Sequence, residues 1–128
     1  MEKIKFSGKV LSGKGDGKKF LELQWVKRQT NAALVFTPYA GTLNIRLSDE
    51  SVARRKLLEK AASITVYPAD GYCSGKLFKA SIGMLECAII IPEVAGYPQD
   101  VLEIIAPVNL REKLQLADGD EITVTANF

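Results

Sequence analysis

A glycine-rich segment near the amino end has the composition of an anion-binding loop. Residues 13–20 combine three glycines with three lysines and one aspartate. Glycines let the backbone bend so that successive N–H groups converge on an anion, and the lysines add positive charge. The spacing of these residues does not fit the phosphate-binding loop of P-loop kinases. In those kinases a long helix follows the loop, and no long helix is predicted here. Alone, the segment is also compatible with a hairpin whose lysines are solvated.

Two polar residues that alternate along a predicted strand carry oxygens suited to a hard cation. Residues 41–47 alternate polar and apolar side chains, so Thr42 and Asn44 point the same way. Their neutral oxygens suit Mg²⁺ but would hold it weakly, so the phosphates of a nucleotide would supply the other ligands. The alternative is that both side chains lie on the solvent face of the strand.

Glu103 interrupts the apolar segment 101–106, which is a predicted strand. A carboxylate buried without a partner is costly, so Glu103 must face solvent or meet a partner. If it serves function, it accepts a hydrogen bond from a hydroxyl or a ring N–H of a ligand.

Residues 108–111 lead into a predicted short helix. Asn109 is a good N-cap, and Glu112 three residues later resembles a capping box. The free N–H groups at the start of a helix and the guanidinium of Arg111 together suit a nucleotide. The alternative is an ordinary capped helix.

Short strands and short helices are predicted to position these four segments. Strands are predicted at residues 4–11, 41–47, 63–67, 76–84, 87–91, 101–106 and 121–125, and helices at 26–34, 52–61 and 110–114. Ser48 would cap the second helix. This pattern predicts a mainly β barrel. The closing helix, Gly-Asp turn and strand are typical of cradle-loop barrels, a feature that marks fold and not function.

Composition narrows the function classes. The 128 residues predict one domain spanning 1–128, and a net charge of +2 argues against a dedicated nucleic-acid binder. The absence of histidine excludes His-based triads, His metal sites and His general bases. Cys73 and Cys87 cannot build a four-ligand zinc site alone, so we expect thiols buried or half-buried in strands. No apolar run approaches the ~20 residues of a membrane span, which predicts a cytoplasmic protein without a membrane partner.

Taken together, and in their order along the chain, the four segments described above resemble one family, the archaeal CTP-dependent riboflavin kinases. The resemblance is carried by residues 12–20, 36–47, 88–92, 102–111 and 116–120, which span almost the whole chain. It implies a six-stranded cradle-loop barrel with short helices. It also implies an activity that converts riboflavin and CTP to FMN and CDP. Some relatives carry an N-terminal DNA-binding domain; we expect none here, and we expect a monomer.

The resemblance implies roles for individual residues. Thr42 and Asn44 would bind Mg²⁺, and Glu103 would contact the flavin. The nucleotide-binding residues would be Gly15, Asp16, Gly17, Lys18, Lys19, Phe20, Val108, Asn109, Leu110 and Arg111. Family members often place a threonine against the flavin where this chain has Ala95, which lacks a hydroxyl. Either the Gly96 N–H or the Tyr97 hydroxyl replaces it, or the flavin end of the site is weaker.

Several alternatives remain open from the sequence. Glu103 has the right side-chain type for a general base, but it would equally serve only to orient riboflavin. A regulator that binds flavin or nucleotide without catalysis is a second functional hypothesis. A DNA-binding barrel is a third, against which the modest positive charge argues.

Overall fold

The computed structural model describes residues 3–12, 24–34, 36–39, 41–61, 63–67, 75–93 and 96–127. Its strands are β1 (Lys3–Leu11), β2 (Leu43–Leu47), β3 (Ile64–Val66), β4 (Gly75–Ile82), β5 (Leu85–Pro92), β6 (Val101–Ile105) and β7 (Glu121–Asn127). Its helices are α1 (Gln24–Ala33), α2 (Asp49–Arg55) and α3 (Leu110–Lys113), and a 3-10 turn (Lys56–Lys60) follows α2.

Six antiparallel strands close into a barrel. Their order is β4-β5-β6-β2-β1-β7, and β7 pairs back onto β4 with Ala126 opposite Ala80. The short strand β3 pairs with the other end of β4, where Ile64 lies opposite Leu77. The predicted mainly β, six-stranded barrel with short helices is therefore confirmed.

The barrel interior is filled by alternate side chains of its strands, as small barrels require. On β2 the predicted alternation is confirmed, because Leu43, Ile45 and Leu47 are buried in the main core. Their neighbours Asn44 and Arg46 are not buried and lie on the other face of the strand. Polar side chains of β2 are thereby presented outside the barrel.

Residues 87–91 of strand β5 are all apolar, and the middle of the strand is covered on both faces. Cys87 and Ile89 belong to the main core, whereas Ala88 and Ile90 pack in a second cluster with Leu34, which follows α1. The expectation of a buried thiol is confirmed for Cys87, and burial raises its pKa to about 12. The second predicted thiol lies outside the described residues.

Helix α2 starts earlier than predicted and gives way to a 3-10 turn. Ser48 is the N-cap, its hydroxyl accepting from the Ser51 N–H at 3.4 Å, so the helix begins directly after the cap. The 3-10 turn places Leu58 in the barrel core.

Strand β4 is shorter than predicted because Gly83, with φ 58°, and Met84 form the turn into β5. None of the helices in the described residues is long and apolar enough to cross a membrane.

Strands β1 and β2 approach closely at Gly8. A Cβ atom built on Gly8 would lie 2.4 Å from the Arg46 carbonyl oxygen and 2.5 Å from Cγ2 of Ile45. Only glycine fits between them without movement of the neighbouring strand. Next to this contact, the Ser7 N–H donates to the Ser51 hydroxyl at 2.8 Å, which joins α2 to β1.

Candidate active site

Strands β2 and β6 bring three polar side chains together outside the barrel. Asn44 lies directly opposite Glu103 in the antiparallel register, and Thr42 immediately precedes β2. The Thr42 hydroxyl lies 3.2 Å from Asn44 Oδ1 and 3.3 Å from Glu103 Oε1. Thr42 and Glu103 are 61 positions apart in sequence, and the pairing of β2 with β6 brings them together.

The Thr42 and Asn44 oxygens are spaced suitably for one octahedral cation. Ligands about 2.1 Å from Mg²⁺ at adjacent corners of an octahedron lie about 3 Å apart. The separation of Thr42 Oγ1 and Asn44 Oδ1, 3.2 Å, is close to that value. Thr42 has one proton to donate, and donation to Glu103 leaves its lone pairs for a metal. No cluster of three or more acidic, Cys or His side chains occurs among the described residues, so further metal ligands would have to come from a substrate.

Glu103 accepts hydrogen bonds at both carboxylate oxygens. Tyr97 donates its hydroxyl proton to Glu103 Oε2 at 2.5 Å, while Thr42 faces Oε1. Burial, and then this hydrogen bond, raise the pKa of the Tyr97 hydroxyl, so it stays a proton donor. The sequence had left Glu103 to face solvent or to find a partner. It finds two, and their opposite positions fix the plane of the carboxylate.

The predicted segment 108–111 borders a small cavity that also reaches Thr42. This cavity, here named the Arg111 pocket, has a volume of about 140 Å³. Its lining residues are Tyr39, Gly41, Thr42, Leu43, Ile104, Ala106, Val108, Asn109, Leu110 and Arg111. Asn109 caps α3 as predicted, its side-chain oxygen accepting from the Glu112 N–H at 3.3 Å. Tyr39 was not singled out from the sequence, although it lies within a segment that carried the family resemblance.

Asp118 links Arg111 to the residue that precedes the glycine-rich segment. The Arg111 guanidinium donates to Asp118 Oδ1 at 2.5 Å, and the Ser12 hydroxyl donates to Asp118 Oδ2 at 2.8 Å. The hydrogen bond from Arg111 is the main reason that the pKa of the Asp118 carboxyl lies below its usual value. From the sequence, Asp118 was predicted only to belong to a turn, and its hydrogen-bond partners were not predicted.

A second cavity is lined in part by Tyr97. This cavity, here named the Arg55 pocket, has a volume of about 240 Å³. Its lining residues are Arg55, Leu58, Glu59, Lys76, Ile91, Pro92, Glu93, Tyr97 and Gln99. Arg55 was missed by the sequence interpretation because it is one of several charged residues at the end of a helix. Nothing in its local sequence indicates burial.

Two predicted groups of site residues lie outside the described residues. They are Ala95, expected near the flavin, and the glycine-rich nucleotide segment Gly15, Asp16, Gly17, Lys18, Lys19 and Phe20. Of the two suggested replacements for Ala95, the Tyr97 hydroxyl has its proton directed at Glu103. Gly96 is exposed and has φ 82°, a value that favours glycine.

Comparisons with known proteins point to one family. A family model labelled CTP-dep_RFKase, described as a domain of unknown function (DUF120), matches residues 10–126. Relatives named riboflavin kinase include proteins from Methanosarcina barkeri, 38% identical over 125 residues, and Pyrobaculum islandicum, 39% identical over 128. Another, from Saccharolobus solfataricus, is 41% identical over 130 residues. These matches cover 94%, 94% and 97% of this chain, but 56%, 59% and 74% of the relatives. The chain thus spans less than two-thirds of the first two.

Proposed function

The chain belongs to the CTP-dependent riboflavin kinase family, and from this premise we propose that it phosphorylates riboflavin with CTP. The terminal hydroxyl oxygen of the ribityl chain forms a bond to the γ-phosphorus of CTP. The bond from that phosphorus to the oxygen that bridges it to the β-phosphorus breaks, the hydroxyl proton passes to solvent, and CDP and FMN leave. Phosphoryl transfer needs mainly positioning and charge stabilisation, which suits a site without histidine.

One observation carries this proposal: Thr42 belongs both to the Arg111 pocket and to the Asn44–Glu103 cluster. A nucleotide whose phosphates lie in the Arg111 pocket would end beside Thr42 and Asn44. These two residues would hold Mg²⁺ together with phosphate oxygens, and Arg111 would supply donors to the nucleotide. When bound, Mg²⁺ offsets negative charge that develops on the transferred group.

We propose that Glu103 orients the acceptor and does not act as the base. Both of its oxygens already accept hydrogen bonds, from Thr42 and from Tyr97. These two donors hold the carboxylate in place, and each oxygen keeps a further lone pair that can accept from a hydroxyl of riboflavin. As an acceptor, Glu103 instead fits between the metal ligands and the Arg55 pocket, where a ribityl hydroxyl would pass.

The test is a direct assay of FMN formation. The protein is incubated with riboflavin, Mg²⁺ and either CTP or ATP, and flavins are separated by chromatography. The proposal predicts FMN with CTP and none with ATP. Thr42→Val should abolish FMN formation, while Thr123→Val, an exposed threonine on β7, should leave it unchanged.

The two competing functions give different results in the same experiment. Ligand binding without FMN from either nucleotide would indicate a regulator. Retardation of DNA in a gel, with neither riboflavin nor CTP bound, would indicate the DNA-binding barrel.

A further inference from the structure

The hydroxyl proton of Thr42 has two acceptors within reach. Thr42 Oγ1 lies 3.2 Å from Asn44 Oδ1 and 3.3 Å from Glu103 Oε1, but a hydroxyl has a single proton to donate. Donation to Asn44 would occupy the amide oxygen that a cation needs. Donation to Glu103 leaves that oxygen and the Thr42 lone pairs free. The position of the Glu103 carboxylate therefore decides whether Thr42 and Asn44 can bind a cation together.

Tyr97 holds the Glu103 carboxylate by its other oxygen. The Tyr97 hydroxyl donates to Glu103 Oε2 at 2.5 Å, a length typical of a hydrogen bond to an ionised acceptor. The terminal torsion of a glutamate is soft, so a carboxylate without such a bond rotates readily. Among the described residues, Thr42 and Tyr97 are the two donors that reach this carboxylate. Without the Tyr97 hydroxyl, nothing in the described network would keep Oε1 directed at Thr42.

The side chain of Tyr97 is itself fastened to the end of α2. The guanidinium carbon of the buried Arg55 lies 5.9 Å from the centroid of the Tyr97 ring, within the range of a cation–π contact. Gln99, two residues after Tyr97, accepts from Arg55 Nη1 at 2.8 Å. Arg55 thus contacts the ring and binds the segment that carries it. These two contacts restrict the position from which the Tyr97 hydroxyl donates.

We propose that Tyr97 is a positioning residue for the cation site, acting through Glu103 to direct the Thr42 proton away from Asn44. This inference rests on the proposed function, in which Thr42 and Asn44 hold Mg²⁺. Tyr97 donates to neither of these two residues. Its hydroxyl fixes Glu103 Oε2, which keeps Oε1 as the acceptor for Thr42. The oxygens of Thr42 and Asn44 then remain open to the ion.

The experiment measures cation binding separately from catalysis. Mn²⁺ prefers the same oxygen ligands as Mg²⁺ and is visible by electron paramagnetic resonance. It is titrated into protein with bound CTP, in the absence of riboflavin, and the free ion is measured. Tyr97→Phe keeps the ring and removes the hydroxyl, and should weaken Mn²⁺ binding about three- to tenfold, the effect of one hydrogen bond. Tyr67→Phe is the matched control, because Tyr67 is 70% exposed and should leave the affinity unchanged.

Two further measurements distinguish positioning from a general structural effect. Glu103→Gln should also weaken Mn²⁺ binding, and adding Tyr97→Phe to it should change the affinity less than about twofold, because the two residues act in one chain. The rate of FMN formation by Tyr97→Phe should approach that of wild type when Mg²⁺ is raised. A loss of rate that excess Mg²⁺ does not restore would overturn the positioning role.

The outcomes are separable from those of the kinase assay. Unchanged Mn²⁺ affinity in Tyr97→Phe, or no Mn²⁺ binding by the wild-type complex, overturns the role of Tyr97 even if FMN is formed. Weaker Mn²⁺ binding by Tyr97→Phe without FMN formation by wild type supports the role and refutes the kinase. Fully additive effects of Tyr97→Phe and Glu103→Gln also overturn it. If Tyr97→Phe does not fold, Glu103→Gln alone is decisive, since unchanged Mn²⁺ affinity there breaks the chain.

Discussion

Replacing Glu103 with glutamine distinguishes an orienting carboxylate from a general base. The side chain keeps its shape but loses its charge, and one of its two acceptor oxygens becomes an N–H₂ group. Thr42 and Tyr97 then compete for one remaining acceptor, so one of the two hydroxyls must rotate to accept instead. The cluster stays hydrogen-bonded, and the protein should fold as before.

The two roles predict effects of different size on different constants. A hydrogen bond to a charged group contributes roughly 1.5–3 kcal/mol and a neutral one roughly 0.5–1.5 kcal/mol. The difference, about 1–1.5 kcal/mol, corresponds to a rise of about five- to twelvefold in KM for riboflavin. A lost base would instead lower kcat by about 10²–10⁴-fold. Because both oxygens of Glu103 are occupied, we expect the first result, with kcat within about threefold of wild type.

Steady-state kinetics at saturating CTP, with riboflavin varied, measure both constants. Glu86→Gln is the control, since Glu86 is an exposed glutamate on β5. A fall of more than about 100-fold in kcat with unchanged KM would refute the orienting role. So would a pH–kcat profile with an acid limb in wild type that disappears in Glu103→Gln.

Further predictions concern the nucleotide end, the strand contact and the buried thiol. Asp118→Asn should raise KM for CTP only slightly without changing kcat, since the ion pair that holds Arg111 is exposed and exposed ion pairs contribute little. Because Arg111 lowers the pKa of the Asp118 carboxyl, stability from this pair is present above the pKa of an unfolded Asp and is lost as pH falls through the folded value. In acid titrations, the free energy of unfolding of Asp118→Asn should not show this loss of stability. An acid limb identical to that of wild type would contradict the prediction. Gly8→Ala should lower the free energy of unfolding by about 1–3 kcal/mol in urea titrations. Gly75→Ala, whose added Cβ would lie 3.6 Å from the Ile91 carbonyl oxygen, should cost less than about 0.5 kcal/mol, and equal costs for the two substitutions would refute the clash at Gly8. The pKa of Cys87, about 12, predicts no alkylation at pH 9 until urea unfolds the protein, as peptide mass spectrometry would show.

Local patterns in the sequence determined the elements and which face of each is buried. The alternation of residues 41–47 predicted the buried face of β2, and Asn109 and Ser48 were identified as helix caps. These features depend on neighbours a few residues away, so composition and spacing suffice. The helix after Ser48 was placed too late because apolar periodicity, which begins at Val52, outweighed the cap in the prediction.

Tertiary structure alone decided which of these elements meet. Alternation along a strand determines a face but neither the partner strand nor the register, so the pairing of Asn44 with Glu103 was not predictable from either segment. The same holds for Tyr97 beside Glu103 and for Asp118 beside Ser12. Arg55 is the clearest case. Its helical sequence is that of an ordinary charged surface, and its burial results from barrel closure and from the loop that carries Tyr97 and Gln99 over it.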